Sequence, residues 1–179
     1  VVYRTEFGVT RDGTDTVLHT ANDLVCGDVY IIQGQSNAEA WTDQRVIHPY
    51  RSQWLRSFGT PTTNKDRARD VVWGNALSFN GGENHHHLQI GYWGIELGKM
   101  LIKQHSLPIC IINGAQGGSR IDQHQRNEPD PTDVTTIYGR LLWRLPQAKL
   151  THGVRAVLWH QGENDQGESG ATGTFGWVN

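Results

Sequence analysis

Three short polar turns hold the residue types from which ester chemistry can be assembled. Gly34-Gln35-Ser36-Asn37 offers one hydroxyl. Asn113-Gly114-Ala115-Gln116-Gly117-Gly118-Ser119 offers main-chain N–H groups unshielded by side chains. Trp159-His160-Gln161-Gly162-Glu163-Asn164-Asp165 offers two carboxamides, a histidine and two carboxylates. A serine hydroxyl is a poor nucleophile until a base takes its proton. Glycines let the main chain approach a developing oxyanion, and a side-chain amide can donate to the same oxygen. One such donor is worth about 3–4 kcal/mol of transition-state stabilisation. Ser36 therefore reads as a nucleophile, with the other two turns as sources of its oxyanion hole.

Each turn follows an apolar run of strand character: about Asp28 to Gln33, Pro108 to Asn113 and Val154 to Trp159. Helical periodicity fills two intervals. About Gly91 to His105 carries Trp93, Leu97, Met100 and Leu101, closed by Leu107-Pro108, and Thr135 to Leu150 carries Ile137, Leu141, Leu142 and Leu145. Pro146 is expected to kink or end the second helix early. Strand, helix, strand, helix, strand predicts an α/β fold with a parallel sheet, and near-continuous apolar strands predict burial on both faces. Such a sheet places all three turns on one side, where open α/β sheets bind ligands.

Residues 1–25 read as a β-rich lead-in turning at Arg11-Asp12-Gly13, such as the tail of an upstream β domain would be, with the main domain over 26–179. Residues 38–88 read as a long irregular polar segment. Its tryptophans Trp41, Trp54 and Trp73 are candidate sugar-stacking platforms.

The bulk composition excludes several classes. Lys+Arg is 16 against Asp+Glu 18, a net charge of −2, so no basic surplus points to nucleic acid. No apolar run approaches the roughly 20 residues of a membrane-spanning helix. Cys26 and Cys110 read as two buried thiols. His85-His86-His87 are successive loop residues and do not suggest a preformed metal site, so neither metal nor cofactor is expected. The abrupt ends suggest an excerpt of a longer protein.

Taken together, Gly34-Gln35-Ser36-Asn37, Gly117-Gly118-Ser119 and Trp159 to Asp165 resemble three blocks of the SGNH (GDSL-like) hydrolases. More narrowly they are similar to the sialate O-acetylesterase and acetylxylan-esterase group. The blocks agree in order and spacing and span most of the chain. The resemblance implies a flavodoxin-like three-layer α/β/α sandwich and removal of acetyl groups from carbohydrates through an acyl-enzyme. It implies Ser36 as nucleophile, and an oxyanion hole from the Ser36 N–H, Gly117 or Gly118, and a turn-three amide. Gln161 is the preferred amide, with Asn164 as the alternative. Gln35, Arg120, His160 and Glu163 are candidate substrate contacts. A secreted or periplasmic location is implied by resemblance alone.

One block of the pattern does not occur. The family draws its base and the acid that orients it from a late Asp-x-x-His, and these 179 residues contain none. The expectation is a C-terminally incomplete domain, close to inactive by itself. Two other readings compete. A non-catalytic sugar-binding module would keep the fold without the base. An α/β-hydrolase would need Gly-x-Ser-x-Gly, whereas Ala38 stands where its second glycine would.

Overall fold

The computed structural model describes residues 1–40, 47–62, 64–78 and 87–165. The chain opens with a hairpin, β1 (Tyr3–Arg11) and β2 (Thr14–Leu24), which forms its own two-stranded sheet. Its turn residues Asp12 and Gly13 both have positive φ, 51° and 77°. That matches the turn type that continues the twist of antiparallel strands.

The main sheet has five strands: β3 (Asp28–Gly34), β4 (Leu55–Phe58), β5 (Trp73–Asn75), β6 (Ile109–Asn113) and β7 (Val154–His160). Their order is β5-β4-β6-β3-β7. β3 pairs in parallel with both β6 and β7, and β4 in parallel with β6. β5 runs antiparallel to β4. The sheet is therefore mixed rather than wholly parallel. The irregular segment expected over 38–88 in fact contributes two of its strands. Leu55-Arg56-Ser57-Phe58 has no clean alternation, so its strand character comes from pairing with β6 and not from its own pattern.

Alternation along β3 and β6 divides the core into two. Ile32, Ile109 and Ile111 pack with Ile95 of α2 (Tyr92–His105). Val29, Ile31, Cys110 and Ile112 pack with Leu141 of the helix Ile137–Gln147. Successive strand residues point to opposite faces, so the two helices cover opposite faces of the sheet. This is the expected three-layer α/β/α arrangement. The second helix starts two residues later than expected, where Thr136 Oγ1 accepts the Gly139 N–H at 3.0 Å. It runs one residue past Pro146.

Both cysteines are free, and Cys110 is buried as expected. Cys26 is exposed instead, because it lies in the connection between β2 and β3, ahead of the sheet. Among the described residues no helix is long and apolar enough to cross a membrane.

Candidate active site

β3 is the central element of the site because it lies between the other two turn-bearing strands. It ends at Gly34, where a Cβ would stand 1.9 Å from the His160 carbonyl oxygen. Only glycine permits that approach. Gln35 N–H then donates to the same His160 oxygen at 3.1 Å, which ties the first turn to the end of β7. Ser36 opens the one-turn helix α1 (Ser36–Glu39) and is exposed. Its N–H is among the first of a helix, which no intrahelical carbonyl can reach. Ala38 and Glu39 anchor the other side of α1 in the core. Trp93 Nε1 donates to the Asn37 carbonyl at 2.7 Å, and Asn37 Nδ2 donates to Glu163.

The glycine turn after β6 is held by buried polar groups. Asn113 Nδ2 donates to the carbonyls of Ala38 and Ile90, both at 3.1 Å, and its Oδ1 accepts the Ala115 N–H. Gln116 N–H donates to the Gly34 carbonyl at 3.0 Å. Arg140, with no exposed surface, aims Nη2 at the carbonyls of Gly114 and Ala115 and at Gln116 Oε1, at 3.1–3.4 Å. Arg144, equally buried one turn on, donates to the carbonyls of Asn113 (2.8 Å) and Phe58 (2.6 Å). Gly117 N–H donates to Glu39 Oε2 at 3.0 Å. Gly118 has φ 74° and is exposed, and its N–H has no protein partner among the described residues.

Beneath this turn runs a chain of hydrogen bonds with one consistent direction. Gln33 Nε2 can only donate, so His124 Nδ1, 3.2 Å away, accepts. His124 Nε2 then carries the proton and donates to Ser119 Oγ at 2.8 Å, which donates to the Gln116 carbonyl at 2.6 Å. Burial, together with the positive charge of Arg140, pushes the His124 pKa down from 6.5 to about 4. Burial pushes Glu39 the other way, from 4.5 to about 7, against the Gly117 hydrogen bond and the charge of Arg140.

The turn after β7 is closed by Asp165, which accepts the Ile121 N–H at 3.2 Å. Gln161 is buried, and its Nε2 donates to Asp165 Oδ2 at 2.6 Å and to the Ser119 carbonyl at 3.3 Å. Both amide protons are thereby engaged. Asn164 is exposed, and its main-chain N–H donates to Gln35 Oε1 at 3.2 Å. Its Nδ2 has no partner among the described residues and stands 4.0 Å from where a Gly118 Cβ would be. A Gly117 Cβ would stand 3.9 Å from Ser36 Cβ, and Glu163 and Asn164 bond Asn37 and Gln35 on either side of Ser36, so the three turns lie together on one side of the sheet.

The candidate substrate contacts differ in availability. Gln35 is buried and committed to Asn164. Arg120 is held by Asp122 through two contacts of 3.1 and 2.8 Å. His160 Nε2 lies 3.2 Å from Glu163 Oε1, and both residues are exposed. Trp54 lies at the other end of the strands, its carbonyl accepting the Ile109 N–H, and Trp73 packs on Phe58. Trp41, His85 and His86 fall outside the described residues. Trp93 lies beside the Ser36 turn and with Asn37, Leu158, Trp159 and His160 lines an open cleft of about 730 Å³.

Glu39, His124, Arg140 and Arg144 were not anticipated from the sequence. The arginines had a signal: positions 137, 140, 141, 144 and 145 share one helical stripe, so they must face the core with Ile137 and Leu141. Glu39 is fixed by Gly117 and His124 in part by Gln33, both far away in sequence, and neither left a signal.

The model of the SASA family, described as carbohydrate esterase, sialic acid-specific acetylesterase, matches residues 26–175. Two solved structures share the fold. One is a protein from Arabidopsis thaliana, 19% identical, with a TM-score of 0.56 over 78% of this chain and 58% of that one. The other is a carbohydrate acetylesterase from Xanthomonas citri, 21% identical, with a TM-score of 0.52 over 92% of this chain and 38% of that one. This chain thus spans less than two thirds of either structure. None of the curated proteins compared matches it.

Proposed function

Because the chain belongs to the sialic acid-specific acetylesterase family of carbohydrate esterases, we propose that it carries the nucleophile and oxyanion hole of a serine esterase that removes O-acetyl groups from sugars. The observation that carries this reading is that the turns meeting around Ser36 carry three donors with no partner among the described residues: the Ser36 N–H, the Gly118 N–H and, 4.0 Å from a Gly118 Cβ, Asn164 Nδ2. Gly117 and Gln161, the other two candidates, already donate within the protein.

Ser36 Oγ attacks the acetyl carbonyl carbon as a base takes its proton. The negative oxygen of the tetrahedral intermediate lies among the three donors. The intermediate collapses by breaking the bond to the sugar oxygen, which leaves as the alcohol after taking up a proton. Water then attacks the acetyl-serine by the same route and releases acetate. Among the described residues no histidine nitrogen bonds Ser36 Oγ, and His160 is turned toward Glu163. We assign the base to the family's Asp-x-x-His pair, which these 179 residues do not contain, and expect the 179-residue chain alone to be nearly inactive.

The test uses the full-length protein, an O-acetylated sugar and a fluorophosphonate probe. Acetate release and covalent labelling are expected, both abolished by Ser36→Ala. Undiminished acetate release by Ser36→Ala overturns the serine mechanism. Sugar binding with neither hydrolysis nor labelling favours a non-catalytic module.

A further inference from the structure

Resting on Ser36 as nucleophile, we propose that Glu39 is a positioning residue, whose buried carboxylate holds the Gly117 peptide so that the next N–H, that of Gly118, faces the oxyanion. Glu39 lies three residues after Ser36 on the same one-turn helix and is 7% exposed. Its Oε2 accepts the Gly117 N–H at 3.0 Å. The fit is close: a Cβ on Gly117 would stand 2.6 Å from that oxygen.

Two consecutive glycines form the most freely rotating stretch a chain can have. Neither has a side chain to pack, so their orientation must be imposed from outside. Arg140 fixes the carbonyls of Gly114 and Ala115, and Gln116 is fixed through Gly34. At Gly117 the carbonyl accepts from Gln116 Nε2 at a long 3.4 Å. The Gly117 N–H is held by Glu39 at 3.0 Å. The carboxylate thus couples the serine helix to the glycine turn: moving one moves the other. It also occupies the Gly117 N–H, so that of the two glycines only Gly118 has its N–H directed to substrate.

Two substitutions of similar volume isolate the acceptor, both made in the full-length enzyme. Glu39→Gln keeps an oxygen for the Gly117 N–H, and Glu39→Met removes it. We expect Glu39→Met to lower kcat about 100-fold, the scale of one lost oxyanion donor, with KM nearly unchanged. Glu39→Gln should stay within about fivefold of the parent. Fluorophosphonate labelling of Ser36 should slow in the same order. If Glu39→Met does not fold, Gly117→Ala displaces the carboxylate from the other side and should lower kcat similarly. Equal kcat for the Gln and Met variants, or a Met or Gly117→Ala variant within threefold of the parent, overturns the proposal. Ser36→Ala separates the two claims. If Ser36→Ala is dead while Glu39→Met is active, only the positioning role falls. If Ser36→Ala keeps full turnover, the serine reading falls and takes this proposal with it.

Discussion

The glycine turn after β6 and the turn after β7 both reach Ser36, yet they are held in different ways. The glycine turn follows a strand with every residue buried, and Arg140, Arg144, Asn113 and Glu39 grip it from below. The turn after β7 follows an edge strand of which only Val154 and Leu158 are even half-buried. It is fastened by Asp165 to Ile121, by Asn164 to Gln35 and by Gln161 to Ser119. Buried cations meeting main-chain carbonyls fix a backbone at a large cost if they are removed, whereas exposed pairs contribute little. One turn is set by the core; the other is set mainly by its neighbours.

The sharpest way to break this contrast is Arg140→Ala. It should destabilise the fold by about 3–5 kcal/mol, because it strands buried carbonyls and leaves Glu39 without its facing cation. Chemical denaturation measures it; a loss under 1 kcal/mol means the turn is not held from below. Next in size is Asn164→Ala, expected to lower kcat of the full-length enzyme about 10²–10³-fold with stability unchanged. Gln161→Ala should instead lower stability, since it removes the amide bonded to Asp165. Steady-state kinetics beside thermal melts distinguishes them, and the reverse pattern would assign the donor to Gln161.

A third test uses pH. His124 titrates at 6.5 when unfolded and at about 4 when folded, so between those values the unfolded chain binds the extra proton. Stability through His124 therefore falls as pH drops from 6.5 to 4. Glu39, raised from 4.5 to about 7, binds its proton first in the folded state, and its contribution falls as pH rises across that window. The two slopes oppose each other from 4.5 to 6.5. His124→Gln should tilt the stability–pH curve downward with rising pH, and Glu39→Gln should tilt it upward, by urea titration at several pH values. Parallel curves would show that neither group titrates as buried. The smallest effect belongs to β7. Arg155, 68% exposed and 3.6 Å from Asp28, should cost under about 1 kcal/mol when changed to alanine.

The same contrast marks what the sequence could convey. The runs Val29–Ile32 and Ile109–Ile112 state their own burial, and the three turns follow from where those runs stop. β4 could not be read, because Arg56 and Ser57 interrupt it and its partner β6 lies some fifty residues on. The outward-facing groups of the proposed site, Ser36, Gly118 and Asn164, were among the sequence's candidates because reactive chemistry uses few residue types, although Gln161 was the preferred amide. The site's supports were not. His124 is a lone histidine in a polar loop until Gln33, 91 residues earlier, meets it. Which of Gln161 and Asn164 has a free amide depends on Asp165 and Ser119, a question of geometry that spacing alone leaves open.

The bond from Asn164 to Gln35 joins residues 129 apart. On the ribosome, chains grow at roughly 5–20 residues per second, so about 6–26 s separate the two. The helix that carries Ser36 is thus made before β7, and β3 lacks its β7 neighbour until that strand has been synthesised. During that interval the edge of β3 that will pair with β7 offers unpaired main-chain N–H and C=O groups to any other strand.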